Sequence, residues 1–173
     1  MGRDKALLEV GGRPLVLRAV EALDAAGAGE VLVVGGDAPA LADLGLAVVA
    51  DEHPGAGPLG ALVTALHAAR HEVVVLLPCD LLAPSPGAVR AVAAALDGAP
   101  EALWAAPESG GWRQLLHAAY RRTGAHHWAA AFTAGERSLQ RPADQVPGVL
   151  VAGLDPAALA DADTPEDLPP TDG

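Results

Sequence analysis

Three short apolar runs constrain this chain more than any other feature. They are Val31-Leu32-Val33-Val34, Leu46-Ala47-Val48-Val49-Ala50 and Val73-Val74-Val75-Leu76-Leu77. Each is too short for a stable helix and shows no polar alternation, the pattern of strands buried on both faces in parallel sheets. Each closes on small or acidic residues: Gly35-Gly36-Asp37, Asp51, and Pro78-Cys79-Asp80. Helical patterns separate them. Residues 14–26 carry an apolar stripe of Leu15, Ala19, Val20 and Leu23, with Pro14 in the first turn and Gly27 at the end. A short helix is expected over 39–44, one over 61–70, and one from Ser85 or Pro86 to Leu96. Strand and helix therefore alternate through the first 97 residues, which implies an α/β fold, three layers thick, around a mostly parallel sheet. In such sheets ligands bind at the strand C-termini, where this chain places its polar punctuation.

Composition agrees and narrows the function. Hydrophobic residues make up 51% of the chain but aromatics only 3%, so the core is built from Ala, Val and Leu. The formal net charge of -11 argues against a nucleic-acid backbone or an anionic membrane as partner, since both need clustered cations. The single cysteine, Cys79, excludes an internal disulfide and fits a reducing compartment. No apolar run approaches the ~18–20 residues of a membrane span, and Asp4, Lys5 and Glu9 interrupt any signal-peptide pattern. The expected location is the cytoplasm. At 173 residues one domain is expected. The second half is less regular: strands are expected over 103–106, 115–120 and 149–151, the last at an edge, and a helix over 126–134. Thr164, Pro165 and Asp167 form an N-cap pattern.

Few residues can carry chemistry. Lys5, beside Arg3 and near glycines, can meet a triphosphate as a mobile point charge, or it can be a solvated surface lysine. Asp80 is delivered to the sheet edge by five apolar residues. It can offer hard oxygen to Mg²⁺, or it can cap the turn ahead of Pro84-Ser85-Pro86. Asp51 can hydrogen-bond a base or ribose, or simply end its strand. Gly57-Pro58-Leu59-Gly60 brings backbone close to a ligand or makes a tight turn into a helix. Asp161 and Asp163 form a second acidic pair, with ordinary capping as the plainer reading of Asp161. Cys79 reads as a small buried hydrophobe, His126-His127 as helix surface, and His117 as a core or site-wall residue. The chain holds no Gly-x-Ser-x-Gly elbow, no Walker A pattern and no Gly-x-Gly-x-x-Gly.

Taken in order, five motifs and the opening resemble one family. The opening Met-Gly-Arg-Asp-Lys-Ala-Leu-Leu-Glu-Val-Gly-Gly-Arg-Pro-Leu is similar to the sugar-nucleotidyltransferase signature. Next come residues 51–60 with Gly-Pro-Leu-Gly, then Pro78-Cys79-Asp80 and Gln114 through Tyr120. Gly135-Glu136-Arg137-Ser138-Leu139 and Thr164-Pro165-Glu166-Asp167-Leu168 complete the set. Together they resemble the molybdenum cofactor guanylyltransferases (MobA-like proteins) over nearly the whole chain. The resemblance implies a Rossmann-like nucleotidyltransferase fold of GT-A type. It implies transfer of GMP from GTP to molybdopterin with release of pyrophosphate, with Mg²⁺ as cofactor. Delivery and molybdoenzyme-maturation proteins are possible partners. By that match Lys5 would contact the nucleotide phosphates and Arg3 would help the leaving pyrophosphate. Gly35 would lie near the guanine, where the family often has Asn, and Asp51 would hold the nucleoside. Gly57 and Pro58 would line the nucleotide site. Asp80 would bind Mg²⁺, with Asp163 as a second metal ligand. The family form carries Leu-Ala-Gly-Gly-x-Ser-x-Arg before the Met. Residues 1–173 are therefore expected to be an N-terminally incomplete domain whose sheet lacks its first strand and carries a slot beside its central strands. Two alternatives stand: a cytidylyltransferase that uses CTP, suggested by Asp at 163 where guanylyl members usually have Asn, and an inactive truncated nucleotide-binding module.

Overall fold

The computed structural model describes residues 4–160. The chain enters through a 3-10 turn, Lys5–Leu7, and a small hairpin of β1 (Glu9–Val10) and β2 (Arg13–Pro14). Gly11 and Gly12 turn the hairpin at φ 61° and 73°, a backbone state that suits glycine. Helix α1 (Leu15–Ala26) comes next and buries Leu15, Val16, Ala19 and Ala22, until Gly27 at φ 95° closes it. Then come β3 (Val33–Val34), α2 (Ala38–Asp43), β4 (Val48–Val49), α3 (Pro58–Ala68), β5 (Val73–Leu76) and α4 (Pro86–Asp97). The second half supplies β6 (Trp104–Ser109), β7 (Trp112–Arg113), β8 (Ala118–Arg121), α5 (Ala125–Thr133), α6 (Gln140–Ala143) and β9 (Gly148–Val151).

Three layers form as the alternation predicts. Leu59, Leu62, Val63 and Leu66 of α3 pack with Trp128 of α5 against Trp104, Ala106, Ala118 and Tyr120. On the other face Val92 and Leu96 of α4 meet Ala105 and Ala119. Successive residues of β8 thus serve opposite layers, as the strand period of two requires. The pairing is mixed where a mostly parallel sheet was expected. β3 pairs β4 in parallel and β6 pairs β9 in parallel, but β8 lies antiparallel between β5 and β6, and β7 is antiparallel to β6. The reason is connection length. β6, β7 and β8 succeed one another through short turns, which permit only antiparallel neighbours, whereas helical crossovers dominate the first half. At the β9 edge, Gly148 lies directly beside Trp104, and a Cβ there would fall inside the indole.

The sharpest departure concerns the apolar runs. Only Val33–Val34, Val48–Val49 and Val73–Leu76 form ladders, and all are half-buried. β3 and β5 do not pair with each other. Between them lies a cavity of about 750 Å³, lined by residues 31–36 and 73–77 and by α1, α3 and α4. The cavity explains why runs written for burial on both faces are covered only in part. At one end β3 and β5 are tied by Arg70, whose guanidinium pairs with Glu30 at 2.5 Å and whose backbone N–H donates to it at 3.2 Å. At the other end both strand exits meet residues 4 and 5. Two strands joined end for end in this way run in the same direction. No helix among the described residues is long and apolar enough to cross a membrane.

Candidate functional site

The site is built from the residues just past β3, β4 and β5. Asp4 caps the opening turn: one carboxylate oxygen accepts from Ala6 N at 3.0 Å and the other from Asp37 N at 2.8 Å, just past β3. This strap carries Lys5 across to the exit of β5. Lys5 Nζ donates to Asp80 Oδ2 at 3.5 Å, with the two side chains 34% and 21% exposed. An ion pair this open contributes at most about 1 kcal/mol to stability. Its interest is chemical: a mobile cation and a hard oxygen donor, 75 residues apart in the chain, share one rim of the sheet. Arg3 and Asp163 lie outside the described residues, as do Asp161 and the Thr164 cap pattern. Arg13 pairs with Glu21 and does not join this cluster.

The neighbouring strand exits continue the rim. Gly35, at φ 72°, donates its N–H to Val49 O at 2.9 Å. A Cβ on Gly35 would stand 3.4 Å from Asp51 Cβ and 3.9 Å from Asp51 Oδ2. Asp51 Oδ1 accepts from His53 N at 2.9 Å and from Thr64 Oγ1 at 3.2 Å, so that oxygen holds the loop while Oδ2 faces Gly35. The helix expected over 61–70 begins three residues earlier, because Gly57 at φ 85° and Pro58 in the first turn form its entry. Gly57 also allows a close approach: a Cβ there would lie 3.3 Å from Arg137 O, which accepts from Leu59 N at 3.2 Å. The structure thus brings Lys5 to Asp80, Gly35 to Asp51, and Gly57 to the segment after α5, with Pro58 in the first turn of α3.

Several neighbours escaped the sequence reading. Asp4 caps the opening turn with one oxygen, and its second oxygen reaches 33 residues along the chain to Asp37. Thr64 looks like a helix-interior residue, yet it accepts from Glu52 N and can donate to Asp51 or to Gly60 O. His53, Phe132 and Arg137 form a layered stack beside Gly57. The His53 and Phe132 rings are 4.3 Å apart, and the Arg137 guanidinium is 4.4 Å from the Phe132 centroid. The Gly-Glu-Arg-Ser-Leu motif pointed to this segment without showing its contacts.

Electrostatics sort the remaining candidates. Burial pushes the Cys79 thiol up to about 11, and the Asp80 and Asp4 carboxylates add to the effect while Lys5 opposes it. Cys79 is therefore protonated near neutrality and is no nucleophile. Burial pushes His117 down to about 4, and neither ring nitrogen has a hydrogen-bond partner among the described residues, so it is a neutral wall of the core. His126 is exposed, and His127 Nε2 lies 2.9 Å from Pro142 O. No cluster of three His, Cys, Asp or Glu side chains forms among the described residues. On this rim Asp80 offers an accessible carboxylate beside a phosphate-compatible cation. That suits Mg²⁺, which takes one or two carboxylates and completes its shell with substrate phosphates and water.

The chain is similar to known proteins over most of its length. Residues 1–147 match the model of the MobA-like NTP transferase domain. A probable molybdenum cofactor guanylyltransferase of Chloroflexus aggregans is 36% identical over 181 residues, covering 96% of this chain and 85% of that protein. The molybdenum cofactor guanylyltransferase of Cereibacter sphaeroides is 32% identical over 170 residues, covering 96% and 86%. Molybdopterin-guanine dinucleotide biosynthesis protein A from Archaeoglobus fulgidus superposes with a TM-score of 0.78 at 18% identity, over 96% of this chain and 88% of that one. The 2-C-methyl-D-erythritol 4-phosphate cytidylyltransferase of Thermus thermophilus gives 0.73 at 23% identity, over 95% and 90%. At such identities these two structures establish the fold alone, a nucleotidyltransferase-like α/β architecture.

Proposed function

Because the chain belongs to the MobA-like NTP transferase family, we propose that it transfers GMP from GTP to molybdopterin, forming the guanine dinucleotide cofactor and releasing pyrophosphate. The observation that carries this reading is the Lys5–Asp80 pair just past the end of β5. Nucleotidyl transfer rests on positioning and charge neutralisation, with little covalent work for the protein. A rim holding one cation, one half-buried carboxylate and a backbone-lined loop is suited to that work.

In the proposed reaction an oxygen of molybdopterin's terminal phosphate attacks the α-phosphorus of GTP. The bond from the α-phosphorus to the bridging oxygen breaks, and pyrophosphate leaves with the electron pair. The attacking phosphate is already anionic, so no general base is needed. Lys5 steadies the triphosphate and Arg3 the departing pyrophosphate. Asp51, through Oδ2, holds the nucleoside, and Gly35 meets the base through its backbone. Gly57 and Pro58 let the backbone come close to the nucleotide. Asp80, with Asp163, would hold Mg²⁺, which when bound neutralises phosphate charge and polarises the α-phosphorus. Residues 1–173 belong to a single nucleotidyltransferase domain that acts in the cytoplasm, served by proteins that deliver molybdopterin and mature molybdoenzymes.

The test is turnover of purified protein with molybdopterin, Mg²⁺ and either GTP or CTP, with the dinucleotide identified by mass. A guanine dinucleotide is expected. A cytosine dinucleotide would replace the reading with that of the sister enzyme, and no product with either nucleotide would leave a binding module. Asp80→Ala is expected to lower turnover at least about 100-fold with an unchanged unfolding midpoint. Wild-type turnover in that variant removes Asp80 from the mechanism.

A further inference from the structure

Given the Mg²⁺ role proposed for Asp80, on which this rests, we infer that Lys5 competes with a divalent cation for the Asp80 carboxylate. Bare metal then binds weakly, and the carboxylate is loaded together with a triphosphate that engages Lys5 instead. Lys5 Nζ stands 3.5 Å from Asp80 Oδ2, and both side chains are half-buried. On such a rim water screens charges only in part, so a metal ion brought to the same oxygen meets strong repulsion from the ammonium. One of the two cations has to leave. The contact is nonetheless loose, a single oxygen at the outer limit of a hydrogen bond. A part-exposed pair of this kind is worth at most about fivefold in an equilibrium. It discourages a bare ion without locking the site.

The surroundings decide which partner moves. The loop of Asp80 is tied down two residues on. Leu82 O accepts from Arg18 Nη1 at 2.7 Å, and Leu82 N donates to Ala160 O at 3.0 Å. The backbone of Lys5 is tied as well. Asp4 fixes the turn through its two carboxylate bonds, Lys5 O accepts from Leu8 N at 3.1 Å, and Ala6 is buried against Val16 and Leu41. The flexible element is the four-carbon stem of Lys5, which can swing its ammonium from one anion to another. The carboxylate stays and the ammonium leaves. A triphosphate favours that exchange twice over. It offers Lys5 several anionic oxygens, and it gives Mg²⁺ the phosphate ligands that complete its shell.

The experiment is a Mn²⁺ titration of the full chain, read from the electron paramagnetic resonance of unbound Mn²⁺. Lys5→Met is expected to bind Mn²⁺ about fivefold more tightly than the unchanged protein, the full worth of the lost pair. Asp80→Asn in the Lys5→Met background is expected to abolish the gain. Two controls are expected to stay within about twofold of the unchanged protein. Lys5→Arg keeps the competing charge. Arg90→Gln removes a charge whose guanidinium binds Ala25 O, at the far end of α1. Saturating GTP, with the Mn²⁺–GTP equilibrium in solution accounted for, is expected to tighten Mn²⁺ binding more in the unchanged protein than in Lys5→Met, because only there does it also draw off a competitor. Unaltered affinity in Lys5→Met, with metal still lost on Asp80→Asn, would overturn the inference and leave the Mg²⁺ role of Asp80 standing. Equal tightening in either control would reduce the effect to general charge and overturn it too, as would an equal gain from GTP in both proteins. Mn²⁺ affinity indifferent to Asp80→Asn in every background would remove the metal role of Asp80 and the competition with it. GMP transfer itself is judged separately, by turnover.

Discussion

β5 and β8 are hydrogen-bonded neighbours with opposite fates. β5 reads Val73-Val74-Val75-Leu76, the most hydrophobic strand of the chain, yet every residue in it is half-buried. β8 reads Ala118-Ala119-Tyr120-Arg121, and its first three residues are all fully buried. The difference lies in what flanks them. β8 has β5 on one edge and β6 on the other, with α3 and α5 over one face and α4 over the other. β5 has β8 on one edge and the cavity on the other. Hydropathy marks which residues can be buried, and neighbours decide which ones are. Stability should accordingly concentrate around β6, β8 and α5, while the β3–β5 rim carries the charges.

Trp128→Ala tests that division most severely. Trp128 is fully buried and meets Tyr120 edge to face at 5.2 Å, so the change is expected to cost about 3–5 kcal/mol in urea unfolding. A cost under about 1 kcal/mol would contradict a tightly packed second half. His117 provides a pH signature for the same region. Burial holds its folded pKa at about 4, below the usual 6.5, so the unfolded chain binds the extra proton between those values. The stability it confers is complete above pH 6.5 and is lost as pH falls toward 4, by up to about 3 kcal/mol. His117→Leu is expected to remove that slope from a pH series of unfolding free energies. On the rim, Lys5→Ala should weaken GTP binding roughly tenfold in calorimetry and leave guanosine binding unchanged. Equal losses for both ligands would mean general damage. The smallest contrast is the most direct. Val92→Ala, in the α4 core, should cost about 2 kcal/mol, and Val75→Ala, beside the cavity, about 1 kcal/mol or less. Equal costs would erase the distinction between the two regions.

How much of this was legible depends on the range of the forces involved. Helix ends were readable because capping is local: Ser85 accepts from Ala88 N, and Gly27 ends α1 as expected. The polar residues at strand exits were readable as one rim because the α/β alternation fixes where such residues go. The lengths of β3 and β4 were not, since only two residues of each find ladder partners. The hairpin between β6 and β7, turned by Gly110 and Gly111, passed unnoticed because its second strand, Trp112–Arg113, is too short to show periodicity. Arg137 against Gly57 was beyond reach for another reason. Both belong to recognisable motifs, but nothing local says that the long stretch of chain between them folds to bring a carbonyl against a glycine.

Gly148 beside Trp104 has a consequence for how the last strand finds its place. Because the indole occupies the space a side chain would need, β9 can dock on β6 only where its bare backbone meets that ring. A slip of one residue would drive Val149 or Pro147 into the aromatic plane and turn the whole strand over. A residue with no side chain thereby acts as the alignment mark for the sheet's edge.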